Sequence, residues 1–390
     1  MAERRLPTVA ALGTAQTLAW ASSYYLPAML AAPMARELGV SVPTVFAAFS
    51  VALIVSALLG PYAGRAIDRW GGRPVLAGTN VVFAVGLAGL AAAQGPVGLF
   101  AAWVVLGVGM GSGLYEAAFA ALVRLYGRGS RDAITGITLI AGFASTVGWP
   151  LSTLLEAQFG WRGACLVWAA LHLLLGIPLN LLLPKAPALD TPSTDAQRPA
   201  ADTTTAPAAG RYAVVLLAFV FAATWFISTA MAAHLPRLLQ AGGASLAAAV
   251  VAGALVGPAQ VGARLLEYGL LRRLHPLFSA RLAAVMHPVG AVVLTLAGAP
   301  AAAVFTILHG AGNGILTIAK GTLPLVLFGP AGYGARQGLM MVPARVAQAF
   351  APVLFGMLLD GVGAAALWAT TLLGLAALAA LWVLRPVARP

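Results

Sequence analysis

Apolar runs of about 20 residues recur along this whole sequence, and they limit the possible folds more than any other feature. Each run is long enough to cross a hydrocarbon core roughly 30 Å thick as an α-helix. Hydrophobic residues make up 61% of the 390 residues and charged residues only 9%, unlike a soluble domain. Inside a bilayer each backbone segment must satisfy its own hydrogen bonds, and the runs are too long for barrel strands. The sequence therefore predicts an all-α integral membrane protein.

The polar segments between the runs predict twelve transmembrane helices in two six-helix bundles. The predicted helices cover residues 8–32, 44–66, 74–93, 97–123, 132–156, 162–183, 212–239, 245–271, 278–297, 301–327, 333–359 and 363–384. Residues 185–211 are the one long polar stretch, and their Pro, Thr, Ala and Asp content indicates a flexible linker. The linker divides the chain into bundles at residues 1–184 and 212–390.

The two predicted bundles resemble each other weakly. The alternate glycines of GVGMGSG, which begins at Gly107, recur in GAGNG, which begins at Gly310, at an offset of 203 residues. Gly-Pro recurs at 60–61 and 257–258, and the helix prolines Pro150 and Pro352 are 202 residues apart. Matches in the same order indicate a six-helix duplication, as in transporters built from parallel repeats.

Basic residues are distributed unequally between the segments that connect the predicted helices. Seventeen lie on one side of the membrane, and only Arg36, Arg162 and Arg237 lie on the other. This positive-inside pattern predicts a multi-pass protein of the cell (inner) membrane with both termini and the linker in the cytoplasm. The net charge of +12 is therefore a topology signal and does not indicate a nucleic-acid partner. The single cysteine, Cys165, excludes an intrachain disulfide.

Charge and glycine are concentrated in GRAIDRWGGRPVL, residues 64–76, between predicted helices two and three. Gly64 allows helices to approach closely, the Gly71-Gly72 pair allows a tight turn, and Asp68 can cap a helix N-terminus or pair with an arginine. Such a stretch can hold two rigid bundles together in one state and release them in another. The alternative is a short cytoplasmic loop that collects arginines under the positive-inside rule.

This stretch resembles the loop signature of the major facilitator superfamily, Gly-x-x-x-Asp-Arg-x-Gly-Arg, which lies between the second and third of twelve helices. The matching residues are Gly64, Asp68, Arg69, Gly71 and Arg73, with Gly72 inserted before the last arginine. The resemblance implies alternating access, in which two six-helix bundles rock about a central site. It also implies that the charged stretch is a latch that stabilises the outward-facing state.

Five charged residues fall well inside predicted helices, away from their ends: Glu116, Arg264, Glu267, Lys320 and Arg345. A charge near the middle of a bilayer costs at least about 2.5–3.5 kcal/mol, so such side chains usually face a polar cavity and are candidate site residues. Arg264 and Glu267 have the spacing of a pair on one helix face, and the alternative is that Arg264 binds an anionic substrate. Glu116 is expected to carry a proton or to stay paired with Lys320 or Arg264.

Arg345 lies near mid-membrane in predicted helix eleven, with Pro343 before it and Gln348 one turn later on the same face. An arginine in helix eight with a cation in helix eleven resembles the monocarboxylate and oxalate porter branch of the superfamily. That resemblance implies that Arg264 and Arg345 hold the carboxylate of an organic anion. Arginine suits this role because its fork can bind a carboxylate through two hydrogen bonds.

Trp20, Tyr24 and Tyr25 lie centrally in predicted helix one and are expected to line the same cavity, the alternative being an interfacial aromatic belt. His234 and His309 are expected to pack or to hydrogen-bond between helices. The sequence contains no metal-ligand cluster, no phosphate-binding loop and no nucleophile–base arrangement, which argues against an ATP-driven pump and against an intramembrane enzyme.

These features together predict a monomeric secondary transporter without a cofactor. Its expected substrate is a small organic anion, a carboxylate above others, moved by symport or antiport with protons or by exchange. One alternative is an efflux pump for amphipathic compounds, which would gain little from two central cations. A receptor or scaffold is disfavoured, because no sizeable soluble domain is present to receive or pass a signal.

Overall fold

The computed structural model describes residues 5–186 and 211–385, and all regular structure within these ranges is helical. Most of the predicted linker, residues 187–210, lies outside the described residues. We refer to α1–α9 as the N-terminal half and to α10–α16 as the C-terminal half. The α-helices are α1 (Arg5–Ala21), α2 (Leu26–Leu38), α3 (Val42–Trp70), α4 (Gly72–Ala92), α5 (Pro96–Gly113), α6 (Tyr115–Tyr126), α7 (Arg131–Ala141), α8 (Ala144–Leu171), α9 (Ile177–Leu181), α10 (Arg211–Ala241), α11 (Leu246–Ala254), α12 (Val256–Gly269), α13 (Pro276–Ala297), α14 (Ala302–Phe328), α15 (Tyr333–Val362) and α16 (Leu367–Val383).

Eight helical segments of the described residues are long and apolar enough to cross a membrane. They are Val42–Trp70, Gly72–Ala92, Pro96–Leu181, Tyr212–Ala241, Leu246–Gly269, Pro276–Ala297, Ala299–Phe328 and Tyr333–Val383. The segments of 86 and 51 residues are much longer than the roughly 20 residues of one crossing. The predicted all-helical membrane fold is therefore found, and the count of twelve crossings stays a prediction.

The GRAIDRWGGRPVL stretch is almost entirely helical, whereas the sequence predicted a loop there. α3 continues to Trp70 and α4 begins at Gly72, so that Gly71 alone makes the turn. Gly71 has a φ of 83°, a conformation that glycine adopts without the steric cost of a Cβ. As a result, Asp68 lies on the last turn of a rigid helix.

The first predicted membrane helix is interrupted between α1 and α2 at residues 22–25. The hydroxyls of Ser22 and Ser23 donate to backbone carbonyls in the last turn of α1. Pro27 then favours the start of a new helix, because it has no backbone N–H and its φ is already helical. Tyr24 and Tyr25 therefore lie in a helix break and not within a continuous helix as predicted.

A second interruption, at Leu114, separates α5 from α6 directly after the glycine series. The backbone of Leu114 is extended, with φ −84° and ψ −166°. Glu116 consequently lies in the first turn of α6. The positive end of the helix dipole stabilises a carboxylate at that position.

The glycines repeated between the two halves make the same packing contacts. In each half, two glycines four residues apart pack against the backbone of a neighbouring helix, α3 in the N-terminal half and α12 in the C-terminal half. A Cβ at any of them would collide with that backbone. The contacts are Gly107 with Ala52, Gly111 with Ser56, Gly310 with Val256 and Gly314 with Gln260. Small residues permit such close helix contacts in membranes, which explains why the repeat is most visible in glycine.

Buried apolar residues form one core that lies mostly in the N-terminal half, and separate clusters in the C-terminal half. The halves meet along α3 and α15, which cross backbone to backbone. Gly60 and Gly64 of α3 face Gly338 and Gly334 of α15, and a Cβ on Gly64 would overlap the main chain at Gly334. The two Gly-x-x-x-Gly sequences thus fit into each other across the interface between the halves.

Candidate functional site

Arg345 lies near the middle of α15 and forms a buried ion pair with Glu116 of the other half. It is twelve residues after the start of α15, about 18 Å along the helix axis. Its Nη2 atom is 2.7 Å from Glu116 Oε2, and the two side chains are 3% and 16% exposed. The predicted partners of Glu116 were Lys320 and Arg264, and this pairing prediction is wrong. Spacing along single helices cannot show which cation of the C-terminal half reaches α6.

A hydrogen-bonded chain extends from this ion pair to the break between α1 and α2. Arg345 Nη1 donates to Gln348 Oε1 at 3.0 Å, as their spacing on one helix face predicts. Gln348 Nε2 in turn donates to the Tyr24 hydroxyl at 2.9 Å. This series of hydrogen bonds begins and ends in the N-terminal half and passes through the C-terminal half, so it joins the two halves at their centre.

Aromatic rings from both halves lie beside this series of hydrogen bonds. Trp20 of α1 stacks on Trp225 of α10, with ring centroids 6.5 Å apart and an interplanar angle of 6°. Trp20 also contacts Tyr24, Tyr25 and Tyr115. We call these five residues the aromatic wall. The predicted cavity-lining aromatics of helix one therefore lie together, beside an aromatic residue of helix seven that was not predicted.

Lys320 of α14 reaches the aromatic wall from the C-terminal half. Its Nζ atom is 4.0 Å from the centroid of the Trp225 ring, and Arg345 Cζ is 5.4 Å from the same centroid. Both are cation–π contacts, which are worth about 2 kcal/mol or more where the cation is desolvated. Lys320 also interacts electrostatically with Glu116, Arg264 and Arg345. We call these four residues the central charged cluster.

Arg264 of α12 is buried, and among the described residues it hydrogen-bonds to neutral groups. Its Nη1 donates to the backbone carbonyl of Thr138 at 3.1 Å, and its Nη2 is 3.5 Å from Gln260 Oε1. Its Nε is buried and has no acceptor among the described residues. Gly142, at the join of α7 and α8, leaves room for the guanidinium, because a Cβ there would collide with Nη1.

The central charged cluster carries three basic side chains and one carboxylate. Within the described parts of the chain, neither Arg264 nor Lys320 has a carboxylate within 4 Å. Arg264, Lys320 and Arg345 are each at most 5% exposed. Uncompensated buried charge is costly, so the cluster favours a negatively charged group that enters it.

Asp68 caps the N-terminus of α15 in the other half. Its two carboxylate oxygens accept hydrogen bonds from the backbone N–H groups of Gly334 and Ala335, each at 2.9 Å. These N–H groups have no partner within their own helix, and the helix dipole adds to the attraction. We call this end of the molecule the motif end.

The other residues of the signature do not all contact the C-terminal half. Gly64 meets α15 directly, and Gly71 makes the turn that follows α3. Arg69 is exposed and lies over the Trp70 ring, and Arg73 is half-buried. Gly64 and Asp68 are therefore the members of the signature that join the halves among the contacts of the described residues.

A second contact between the halves joins α7 to α12 at the motif end. Arg131 Nη2 is 2.7 Å from Glu267 Oε1, and Arg131 also donates to the backbone carbonyl of Leu274 at 2.9 Å. The predicted pair of Glu267 with Arg264 is not formed. Neighbouring positions on one helix allow a pair, but the long Arg131 side chain reaches Glu267 from the opposite half.

Buried and half-buried histidines hydrogen-bond between helices in both halves. His172 Nδ1 is 2.8 Å from Asn80 Oδ1, and its Nε2 is 2.7 Å from the Ser22 hydroxyl, which fixes the break between α1 and α2. His309 contacts His287, with 3.1 Å between their Nδ1 atoms. His234 lies 2.7 Å from the carbonyl of Pro352. His234 and His309 thus make hydrogen bonds between helices, as expected.

Sequence reasoning missed Trp225 and Arg131. Trp225 follows Trp20 by 205 residues and Lys320 follows Glu116 by 204, close to the offset of the glycine repeat. Extending the repeat from glycines to these residues would have pointed to Trp225. Arg131 carried no comparable signal, because it reads as one more arginine at a helix end.

The fold and site describe two packed helical halves with a charged, aromatic centre between them, the general architecture of a membrane transporter. The chain belongs to the major facilitator superfamily, whose family model matches residues 12–319. It is a transporter of this superfamily and not an enzyme.

Known proteins similar to the chain are consistent with this assignment. An uncharacterized 38 kDa protein in the 23S RNA operon of Thermoproteus tenax is 30% identical over 93% of this chain and 91% of its own length. Among solved structures, the human organic anion transporter MFSD10 (TETRAN) is 18% identical, with a TM-score of 0.70 over 97% of this chain and 99% of its own. The proton:xylose symporter XylE is 14% identical, with a TM-score of 0.77 over 98% of this chain and 95% of its own. At these identities the solved structures show the fold alone.

Replacing Asp68 with asparagine should open the motif end. Asparagine keeps one acceptor oxygen, but the negative charge and the second acceptor are lost from the α15 N-terminus. A charge at a helix N-terminus is worth about 0.3–2 kcal/mol, a shift of roughly 2- to 30-fold between states. We expect impaired transport with near-normal expression, because no core packing changes. Pulsed electron paramagnetic resonance between spin labels on the two halves at the motif end measures the shift. Asp360→Asn, which breaks an exposed ion pair with Arg237 inside one half, is the control. Unchanged distances and full activity in Asp68→Asn would contradict a latch.

Proposed function

We propose that the chain is a secondary transporter of a small organic anion, with carboxylates as the first choice, driven by protons or by exchange. The observation that carries the proposal is the excess of buried positive charge in the central charged cluster. Arg345 and Arg264 offer guanidinium groups, which suit a carboxylate because two parallel N–H groups can bind its two oxygens. The aromatic wall would pack against the apolar part of such a substrate.

The contacts between the halves suit alternating access. Asp68 with α15, Arg131 with Glu267, and the glycine crossing all lie between rigid halves, and the two polar contacts can break without disturbing either core. The positive-inside pattern supports an orientation in the inner membrane with the motif end in the cytoplasm. In that orientation the structure is a state closed towards the cytoplasm.

We further propose twelve crossings in two bundles, residues 1–184 and 212–390, joined by the linker at 185–211. The 86-residue segment turns at Gly127, where a 3₁₀ segment starts, and at Gly160, with φ of 55° and 68°. The 51-residue segment turns at Gly363. Counting α1 with α2 as one crossing, these turns support a division of the helices into twelve crossings. The equivalent glycine contacts in the two halves support the duplication.

Cysteines placed within residues 187–210 test the orientation. Cys165 is buried and is replaced first, so that the new cysteine is the only thiol. If the linker is cytoplasmic, a membrane-impermeant maleimide should label it only in inverted vesicles. A cysteine at exposed Arg36, predicted on the other side, should show the opposite pattern and is the control. Labelling of the linker from outside would overturn the proposed orientation.

A binding screen of the purified protein by thermal shift tests the proposed substrate class. The panel contains short mono- and dicarboxylates, aromatic carboxylates, sugars, and neutral and cationic amphipathic drugs. We expect carboxylates to raise the melting temperature, because a ligand that binds only the folded state stabilises it. Stabilisation by neutral or cationic compounds alone would replace the proposal with the efflux pump. A receptor or scaffold would bind ligand without moving it across a vesicle membrane.

A further inference from the structure

We propose that Glu116 is an internal ligand of the site, which occupies the carboxylate position on Arg345 until a substrate carboxylate displaces it. The inference rests on the proposed anion transport and goes beyond it, because it says which group leaves Arg345 when the substrate carboxylate binds. Glu116 then regulates the affinity of the site by competing with the substrate for one guanidinium.

Both terminal nitrogens of Arg345 already hold an acceptor. Its Nη2 is engaged by Glu116 at 2.7 Å, and its Nη1 by Gln348 at 3.0 Å. Binding a carboxylate through two hydrogen bonds uses two N–H groups of the same fork. A substrate carboxylate that binds across Nη1 and Nη2 therefore competes with Glu116 for Nη2.

Glu116 is the movable partner of this pair. It is 16% exposed, whereas Arg345 is 3% exposed and is held on its other side by Gln348. Glu116 also lies in the first turn of α6, directly after the break at Leu114, so its side chain can rotate without disturbing a helix interior.

Lys320 provides a second place for the displaced carboxylate. Among the described residues, the charged and titratable groups that interact with Glu116 include Arg345 and Tyr333 of α15, Lys320 of α14 and Tyr115 of α6. Of these, Lys320 is a cation without a carboxylate within 4 Å in the described structure. When the substrate pairs with Arg345, Glu116 can pair with Lys320, so that neither charge is left buried alone.

Competition of this kind makes a prediction opposite to that for a residue which binds the substrate. The apparent affinity equals the intrinsic affinity multiplied by the fraction of time for which Arg345 is free. If Glu116 is paired with Arg345 nine-tenths of the time, binding of the substrate is weakened roughly tenfold. Removing the Glu116 charge should therefore strengthen binding of an anion, although it breaks a buried ion pair of the empty protein.

The experiment measures binding of acetate, lactate, succinate and benzoate to the full chain in lipid nanodiscs by isothermal titration calorimetry. Glu116→Gln should bind the best of these probes about tenfold more tightly than the wild type. In an Arg345→Gln background the same change should have no effect, because the contested group is absent. Glu156→Gln, a half-buried glutamate of α8 without an ion pair in the described structure, is the control and should leave affinity unchanged. If Glu116→Gln is unstable, Glu116→Asp replaces it. The shorter side chain should form a weaker ion pair with Arg345, so the affinity for the anion should increase by less than in Glu116→Gln.

The outcomes separate this inference from the proposed function. If Arg345→Gln weakens binding but Glu116→Gln does not strengthen it, the anion site stands and the internal ligand is wrong. An equal gain in affinity on Glu116→Gln with and without Arg345 would also overturn the inference. Glu116 would then act by long-range electrostatic repulsion of the anion and not by competing for Arg345. If no probe binds any variant, the proposed anion transport fails, and the internal ligand fails with it.

Discussion

Replacing Arg345 with glutamine should lower the affinity for an anionic substrate at least about thirtyfold. Arg345 is buried at the centre of the interface, so the substrate carboxylate would lose a desolvated charge partner, at a cost of about 2–5 kcal/mol. Arg345→Lys should retain more affinity, because the charge remains although the fork is lost. Arg264→Lys should not restore full function, since a single ammonium cannot replace a guanidinium that engages Thr138 and Gln260 at once. Equilibrium binding and uptake with the best carboxylate of the thermal-shift screen measure these effects.

Arg36→Gln is the matched control for loss of an arginine. Arg36 is exposed near the end of α2, and its replacement should leave affinity unchanged. Wild-type affinity for a carboxylate in both Arg264→Ala and Arg345→Ala would show that the anion site is misplaced.

Replacing Gly64 with alanine should nearly abolish the state that is closed at the motif end. The new Cβ would overlap the backbone of Gly334, and a backbone cannot move aside as a side chain can. Overpacking costs roughly 1–3 kcal/mol, and we take the upper value, which corresponds to a shift of about 150-fold between states. Pulsed electron paramagnetic resonance across α3 and α15 should therefore show a longer distance, together with loss of transport.

Gly78→Ala in α4 is the control for this substitution. It makes the same chemical change within a neighbouring helix, and a Cβ at Gly78 meets nothing within 4 Å. Alanine is about 1 kcal/mol better than glycine in a helix interior, so both variants should retain helical structure. An unchanged distance in Gly64→Ala would show that the closed crossing does not depend on contact between the two backbones.

The membrane class, the approximate helix positions and the family could all be read from the sequence. Hydropathy reveals crossings because every apolar run must match the bilayer thickness, whatever its neighbours are. The stretch from Gly64 to Arg73 indicated the superfamily through residue types at fixed spacing. Glu116, Arg264, Lys320 and Arg345 stood out as candidates because buried charge is costly in any membrane fold.

Only the tertiary structure decided which of these charges meet. Glu116 pairs with Arg345 and Glu267 with Arg131, each across the interface between the halves, and neither pair follows from spacing along one helix. The breaks at residues 22–25 and at Leu114 were also missed, because they are stabilised by side-chain hydrogen bonds and neighbouring helices and hydropathy does not register them. The sequence by itself determined how many cations the centre would hold and on which helices. The packing of the two halves decided their partners, because an ion pair depends on distances in space between helices that lie far apart along the chain.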